Sequence, residues 1–310
     1  MKTEQRILFL CGDGQVAWEL RRTLATLGEV IAVGRRTEPY ALDLMQPETI
    51  VPLVDQLRPD WIVNAAAYTA VDKAEQEPGI AAAVNAAAPG LLAEAATRVG
   101  AQLVHFSTDY VFDGTATEPY QEGDAPNPQG VYGRTKLDGE EAIAKSGCDW
   151  LVLRTAWVYG ARGGNFMRTM RRLAREREEL RVVADQHGAP TWSRHIAEAT
   201  AQILAQLGGD RAAWHRACGV YHLTSAGTAT WHSFASAIVE HQRRQESIAC
   251  QRVTAITTAD YPTPAKRPAY SVLDNDKLAA TFGLRLPDWQ AALARVQEDI
   301  DAAASSLRNP

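Results

Sequence analysis

Tyr132 and Lys136 stand four residues apart in Tyr132-Gly133-Arg134-Thr135-Lys136, and a Ser107-Thr108-Asp109 triplet lies upstream, where an apolar run from Gln102 to Phe106 ends. Residues at this spacing share one face of a helix. An ammonium at Lys136 can then sit beneath the phenol of Tyr132 and favour its ionised form. A phenol with an ordinary pKa of about 10 would so become a usable proton donor or acceptor near neutrality. Thr108 offers a second hydroxyl to the same reacting oxygen. A Tyr and a Lys can also meet by chance on a solvated helix; it is the setting of the pair, after a glycine turn and a strand ending in Ser-Thr, that favours chemistry.

The elements that must position these groups alternate along the chain. Ile7 to Leu10 reads as a short strand, followed by a turn at Cys11-Gly12-Asp13-Gly14 and a helical pattern from Gln15 to Leu27. Glu29 to Val33, Asp60 to Ala65, Gln102 to Ser107 and Trp150 to Arg154 repeat the short β-branched runs, with the Tyr132 helix before the last of them. This alternation predicts an α/β fold with a doubly wound, Rossmann-like parallel sheet. Ligands of such sheets gather at the carboxyl ends of the strands. Beyond residue 160 the alternation weakens. Helices are expected near Asn165 to Glu178, Ser193 to Gln206, Trp231 to Gln242 and Pro287 to Ala304, strands near Arg181 to Val183 and Val220 to Leu223, and a Pro-rich loop from Tyr261 to Pro268. Residues 1–160 are thus expected to form the dinucleotide-binding domain. Residues 161–310 are expected to form mainly a smaller substrate-binding lobe, with some elements between about 180 and 223 returning to the sheet.

In the first turn, Gly14 lets backbone approach a pyrophosphate, and the helix that opens at Gln15 and Val16 turns its positive end toward it. The register departs from G-x-x-G-x-x-G: Cys11 takes the first place and Ala17 the last, so Gly12 is expected to assume part of the turn's conformational burden. After the second strand, where a carboxylate would bind a ribose, the chain has Gly34-Arg35-Arg36. Two guanidinium groups there suit a 2′-phosphate, which predicts NADPH, with NADH possible. Asp43 and Leu44 are expected to flank the adenine, and Ala65, Ala66 and Ala67 to give the cofactor room.

Composition narrows the remaining classes. A chain of 310 residues with 46% hydrophobic content can bury a sizeable core. The net charge of −5 is spread without a basic stripe or polybasic arm, so neither nucleic acid nor a membrane surface is expected as a partner. Only four apolar residues precede Gly12, too few for a signal peptide core, and no segment is expected to supply the ~20 apolar residues of a membrane span. Cys11, Cys148, Cys218 and Cys250 show no paired spacing, which suits a reducing cytoplasm. The seven histidines lack ligand spacing, and no metal site is expected.

Several segments together resemble the extended short-chain dehydrogenase/reductases, and most closely their dTDP-4-dehydrorhamnose reductase branch. They are Gly14 to Leu20, Val63 to Asp72, Ser107 to Phe112, Val131 to Lys136, Arg154 to Tyr159, Asp185 to Thr191 and Tyr261 to Ala265, which sample nearly the whole chain. The resemblance implies reduction of the 4-keto group of dTDP-4-dehydro-β-L-rhamnose to dTDP-β-L-rhamnose. Tyr132 would be the proton donor, Thr108 a second donor to the oxygen, and Lys136 the group that holds the nicotinamide ribose. It also implies that Asp109 and Trp157 border the sugar. The plain alternatives are that Trp157 is core and Asp109 a cap or turn residue. Arg267 carries a charge suited to a nucleotide diphosphate and Asn165 can bind the same phosphates, with a surface arginine and a helix cap as their plain alternatives. Glu19 matches a position through which some relatives are described as bridging subunits by magnesium, but clustered carboxylates are too few for a metal to be expected here. A monomer or homodimer is expected. Two other functions stay open: another nucleotide-sugar epimerase, dehydratase or reductase, and a non-catalytic NADP-binding regulatory subunit.

Overall fold

Five strands and a sixth from the far half of the chain build one parallel sheet. They are β1 (Gln5–Leu10), β2 (Gly28–Val33), β3 (Trp61–Asn64), β4 (Gln102–Thr108), β5 (Trp150–Thr155) and the strand Gly219–His222, in the spatial order Gly219–His222, β5, β4, β3, β1, β2. The computed structural model describes residues 5–11 and 14–306, with the side chains of 303–306 excepted. Gly12, expected to share the conformational burden of the first turn, lies outside the described residues.

Side chains alternate across β1 and so define two cores. Ile7 and Phe9 face one layer with Leu20, Ile196, Ile203 and Trp214, while Leu8 and Leu10 face the other with Ile50, Val54, Leu92 and Ile143. A sheet buried on both faces reads as continuous apolar runs, which is what Ile7-Leu8-Phe9-Leu10 supplies. The order reverses where β1 sits between β2 and β3, and this switch point opens a crevice at the carboxyl ends of the strands.

A third core is built on Tyr159, Met167, Phe234, Ile238, Trp289 and Leu293, from the second half of the chain. There Glu179–Val183 pairs in parallel with Arg252–Ile256, outside the main sheet, whereas Gly219–His222 pairs with β5. The strand Arg252–Ile256 and the helix Arg211–Ala217 have no counterpart in the sequence reading.

One sequence expectation is corrected here. The helical run Pro78–Val99 has the length and apolar composition of a membrane span, contrary to the reading that no segment does, and half of it is buried inside the protein. Its apolar residues Ala88, Leu92, Ala93, Ala95 and Ala96 pack in the second sheet core. Their apolarity is therefore accounted for by the sheet. Within this run Ala83–Ala87 forms a π-helical turn, a feature that often marks functional positions.

The helix Val131–Ala144 lies against that π turn, and glycine makes the approach feasible. A Cβ at Gly139 would fall 2.2 Å from the backbone oxygen of Asn85, and one at Gly133 would fall 2.1 Å from that of Tyr110. Neither backbone oxygen can move aside cheaply. Gly139→Ala should lower stability by about 1–3 kcal/mol, the range for overpacking, seen as an earlier urea midpoint. Gly79→Ala, where an added Cβ meets nothing within 4 Å, should leave the midpoint unchanged or raise it.

Candidate active site

β4 runs two residues farther than its apolar stretch, so Thr108 is its last residue and sits beside Thr155, the last residue of β5. A 3-10 turn, Asp109–Val111, follows at once. Thr108 caps this turn by accepting a hydrogen bond from the backbone N–H of Tyr110 at 3.2 Å, and its hydroxyl donates to Oδ1 of Asp109 at 3.0 Å. The phenol of Tyr132, second residue of the helix Val131–Ala144, reaches the same Thr108 hydroxyl. Thr108 gives its one hydrogen to Asp109, so although it lies close enough to favour a phenolate at Tyr132, the two hydroxyls are not hydrogen-bonded in this arrangement. Tyr132 and Thr108 thus bring two hydroxyls together beside the buried carboxyl group of Asp109.

Burial sets the proton affinities of this cluster. It pushes the Tyr132 phenol up to about 12, reinforced by the nearby Asp109 charge and opposed by Thr108, which can turn its hydrogen toward a phenolate. This corrects the sequence expectation that Lys136 brings the phenol toward ionisation near neutrality. The ammonium that was to do so is engaged elsewhere: Lys136 Nζ lies 2.9 Å from Nε2 of His105 and 2.6 Å from the carbonyl oxygen of Phe106. Burial also pushes Asp109 up to about 6 and Lys136 down to about 8. Asp109 Oδ2 has no hydrogen bond among the described residues; the Ser271 hydroxyl lies close enough to favour the carboxylate but is directed to the His187 carbonyl. Thr155 Oγ1, beside Thr108, is likewise buried without a partner. Such oxygens suit a polar ligand.

Three residues absent from the sequence reading fasten this cluster. Asn85, in the π turn, accepts from the Tyr68 N–H at 2.8 Å, donates to the Tyr68 carbonyl at 3.0 Å, and donates to Thr135 Oγ1 at 3.3 Å. It thereby joins the loop after β3, which holds Ala65, Ala66 and Ala67, to the helix of Tyr132 and Lys136. Glu140, one turn beyond Lys136, binds Arg154 of β5 through contacts of 2.6 and 3.0 Å, with both side chains about 95% buried. The guanidinium also lies over the Phe112 ring at 5.1 Å. Trp231 stacks on Trp157 at 3.6 Å with the rings nearly parallel, and donates from Nε1 to Gln186. Trp157 itself has φ of 46°, a left-handed conformation rare for a bulky residue and enriched at functional sites.

The cofactor candidates lie around the switch point. Gly14 has φ of −73°, which any residue adopts, so the backbone does not demand glycine there. The space where its Cβ would stand is open, and a side chain would project into it. A dinucleotide fits this cradle at the amino end of the nine-residue helix Gln15–Thr23. Val16 packs on the first core. Gln15 accepts from Asn165 at 2.9 Å and so ties the first helix to the C-terminal lobe. Arg35 and Arg36 are exposed at the carboxyl end of β2, and neither has a side-chain partner among the described residues. Asp43 accepts from the N–H of Met45 at 3.0 Å, whereas Leu44 is buried in the second core.

The remaining sequence candidates are differently placed. Asn165 caps the helix Phe166–Glu176 by accepting from the Arg168 N–H, and donates to the carbonyls of Gly160 and Arg162. Its plain alternative as a cap is thus satisfied. Arg267 is joined in a two-pronged ion pair to Asp72 at 2.6 and 2.7 Å, so its charge already binds the Pro-rich loop to the first domain. Glu19 faces Arg194 at 3.7 Å, and among the described residues no group of three or more His, Cys, Asp or Glu is placed to hold a metal.

This geometry has relatives. The family model described as RmlD substrate binding domain matches residues 5–302. The chain belongs to that family. A dTDP-4-dehydrorhamnose reductase from Burkholderia thailandensis is 51% identical over 298 residues, covering 95% of this chain and 99% of the relative. An enzyme of the same name from Escherichia coli is 44% identical, covering 95% and 97%. Among solved structures, the Bacillus anthracis dTDP-4-dehydrorhamnose reductase in complex with NADP superposes with a TM-score of 0.86 at 31% identity, covering 96% of this chain and all of that one. The Clostridium acetobutylicum reductase gives 0.85 at 36% identity, covering 94% and 98%.

The ion pair beneath the site generates a direct test. Glu140→Gln keeps the shape of the side chain but leaves the Arg154 charge buried without its counter-ion. The urea midpoint should fall by an amount equivalent to about 3–5 kcal/mol, the cost of breaking a buried pair from one side.

Proposed function

We propose that this protein reduces the 4-keto group of dTDP-4-dehydro-β-L-rhamnose to dTDP-β-L-rhamnose with NADPH. The observation that carries the reading is the cluster of Tyr132, Thr108 and Asp109 near Lys136, at the carboxyl edge of a parallel sheet, in a member of a family whose named relatives are dTDP-4-dehydrorhamnose reductases.

A bound reduced nicotinamide supplies the hydride. What this chain must add is a proton and a place for the developing negative charge on the carbonyl oxygen. Tyr132 fits the first need better than the sequence suggested. With its pKa near 12 the phenol keeps its proton at neutral pH, so the acid is present in its donating form. As the oxygen gains charge, the phenol transfers its hydrogen to that oxygen. Thr108 is left free to turn its own hydrogen from Asp109 to the same oxygen or to the new phenolate. Asp109, poised near pH 6, holds the Thr108 hydroxyl in register until then. The stacked pair Trp157 and Trp231 gives a flat apolar wall for a deoxysugar ring.

The carboxyl end of β2 supports NADPH as reductant. Arg35 and Arg36 project free guanidinium groups where an adenosine ribose reaches in folds of this kind, and the related Bacillus anthracis structure was solved with NADP.

Incubation with NADPH and a dTDP-4-keto-6-deoxysugar should consume the reduced cofactor, followed as loss of its absorbance. Sugar conversion without net loss of NADPH would move the reading to an epimerase or dehydratase. Replacing Arg35 and Arg36 by Ala should raise KM for NADPH about 10–100-fold, the worth of a lost charge-assisted bond, and leave KM for NADH unchanged. An equal rise for both cofactors would remove the two arginines from a 2′-phosphate site.

A further inference from the structure

Asn64, His105 and Lys136 form a line of side chains across β3, β4 and the helix Val131–Ala144, each about 99% buried or more. Asn64 and His105 are direct cross-strand partners. The contacts are Ala66 N–H to Asn64 Oδ1 at 3.1 Å, Asn64 Nδ2 to His105 Nδ1 at 3.0 Å, His105 Nε2 to Lys136 Nζ at 2.9 Å, and Lys136 Nζ to the Phe106 carbonyl at 2.6 Å.

Only one arrangement of hydrogens satisfies all four contacts. The backbone N–H of Ala66 can only donate, so the Asn64 atom facing it is the oxygen. The other end of the amide is then NH2, which also only donates, and His105 Nδ1 must accept. A neutral imidazole with an accepting Nδ1 carries its hydrogen on Nε2, pointed at Nζ. An ammonium has no lone pair to receive it. Every donor finds an acceptor only if Lys136 is an amine.

We propose that Asn64 and His105 are positioning residues that fix the hydrogen between His105 and Lys136, with His105 donating from Nε2 and Lys136 Nζ accepting. The proposal rests on the reading in which Lys136 holds the nicotinamide ribose as an ammonium, the role the resemblance implies, and extends it. Protonating Lys136 requires the imidazole hydrogen to move to Nδ1, and Asn64 must then turn its oxygen from Ala66 to His105. The charge on Lys136 is thus coupled to the backbone of the Ala65 to Ala67 loop, where the cofactor is placed. The charged and titratable groups around Lys136 are few. Glu140, on the same helix, favours the ammonium but is bound by Arg154 of β5; Tyr132 lies one turn back; His105 faces from β4. Burial disfavours the charged form of both His105 and Lys136, in keeping with the arrangement.

The hydrogen can be read without turnover. In protein labelled with 15N-histidine, long-range 1H–15N correlation at pH 8.5, above the value of about 8 to which burial brings Lys136, distinguishes bare from protonated ring nitrogens, and the His105 signals are those lost in His105→Gln. The expected pattern is a bare Nδ1 and a protonated Nε2. Asn64→Asp places a carboxylate that accepts from both the Ala66 N–H and a His105 Nδ1–H, so it should reverse the pattern. In that variant the ammonium becomes the favoured form, and the alkaline limb of the kcat profile should move up by about one pH unit or more. A hydrogen on Nδ1 in the unaltered protein overturns the proposal, as does an Asn64→Asp protein that folds with the pattern unchanged. If Asn64→Asp does not fold, the unaltered pattern decides alone. The spectrum reports on the proposal even if the protein reduces some other sugar, so the two readings fail separately.

Discussion

A phenol brought close to a threonine hydroxyl is the constraint around which the rest of this molecule is arranged. Tyr132 lies on a helix and Thr108 at the end of a strand, and their side chains meet only if those two elements close to near contact. Gly133 and Gly139 remove the atoms that would hold them apart, and Asn85 and the Glu140–Arg154 pair supply the polar fastening. Desolvation then does the chemical tuning. It keeps the phenol protonated, draws Asp109 toward neutrality and makes an uncharged Lys136 accessible. A group meant to hand over a proton benefits from this, because its donating form is fully populated at neutral pH.

The placing of the pair on one helix and the order of its supporting elements were legible in the sequence for definite reasons. Strands β1, β3, β4 and β5 are buried on both faces and stand out as apolar runs, and an i, i+4 pair is visible without knowing what it packs on. The residues that complete the site were not legible because each acts across the chain. Asn64 and His105 look like isolated polar interruptions in apolar strands until cross-strand pairing sets them side by side. Asn85 sits in an alanine-rich stretch that reads as an ordinary helix, and nothing in that composition announces a π turn. Trp231 reaches Trp157 from the start of a distant helix, and Arg267 is spent on an aspartate 195 residues away.

The one electrostatic expectation that failed is instructive. Spacing placed Lys136 on the same face as Tyr132, and from that alone the ammonium was expected to lower the phenol's pKa. Spacing does not show where a four-carbon stem ends or how much water is excluded. Lys136 ends on His105 and a backbone carbonyl, and burial outweighs the attraction. The pair keeps its place in the account with altered roles: the phenol is a ready acid, and the amine's charge depends on the strand behind it.

The most direct measurement is single-turnover and steady-state reduction by Tyr132→Phe, which removes one hydroxyl from a ring that otherwise stays packed against Tyr110. If Tyr132 is the acid, kcat should fall by roughly two to four orders of magnitude, the worth of a positioned proton donor, while NADPH binding is retained. Turnover within a few-fold of the unaltered protein, with the fold intact, would contradict the account.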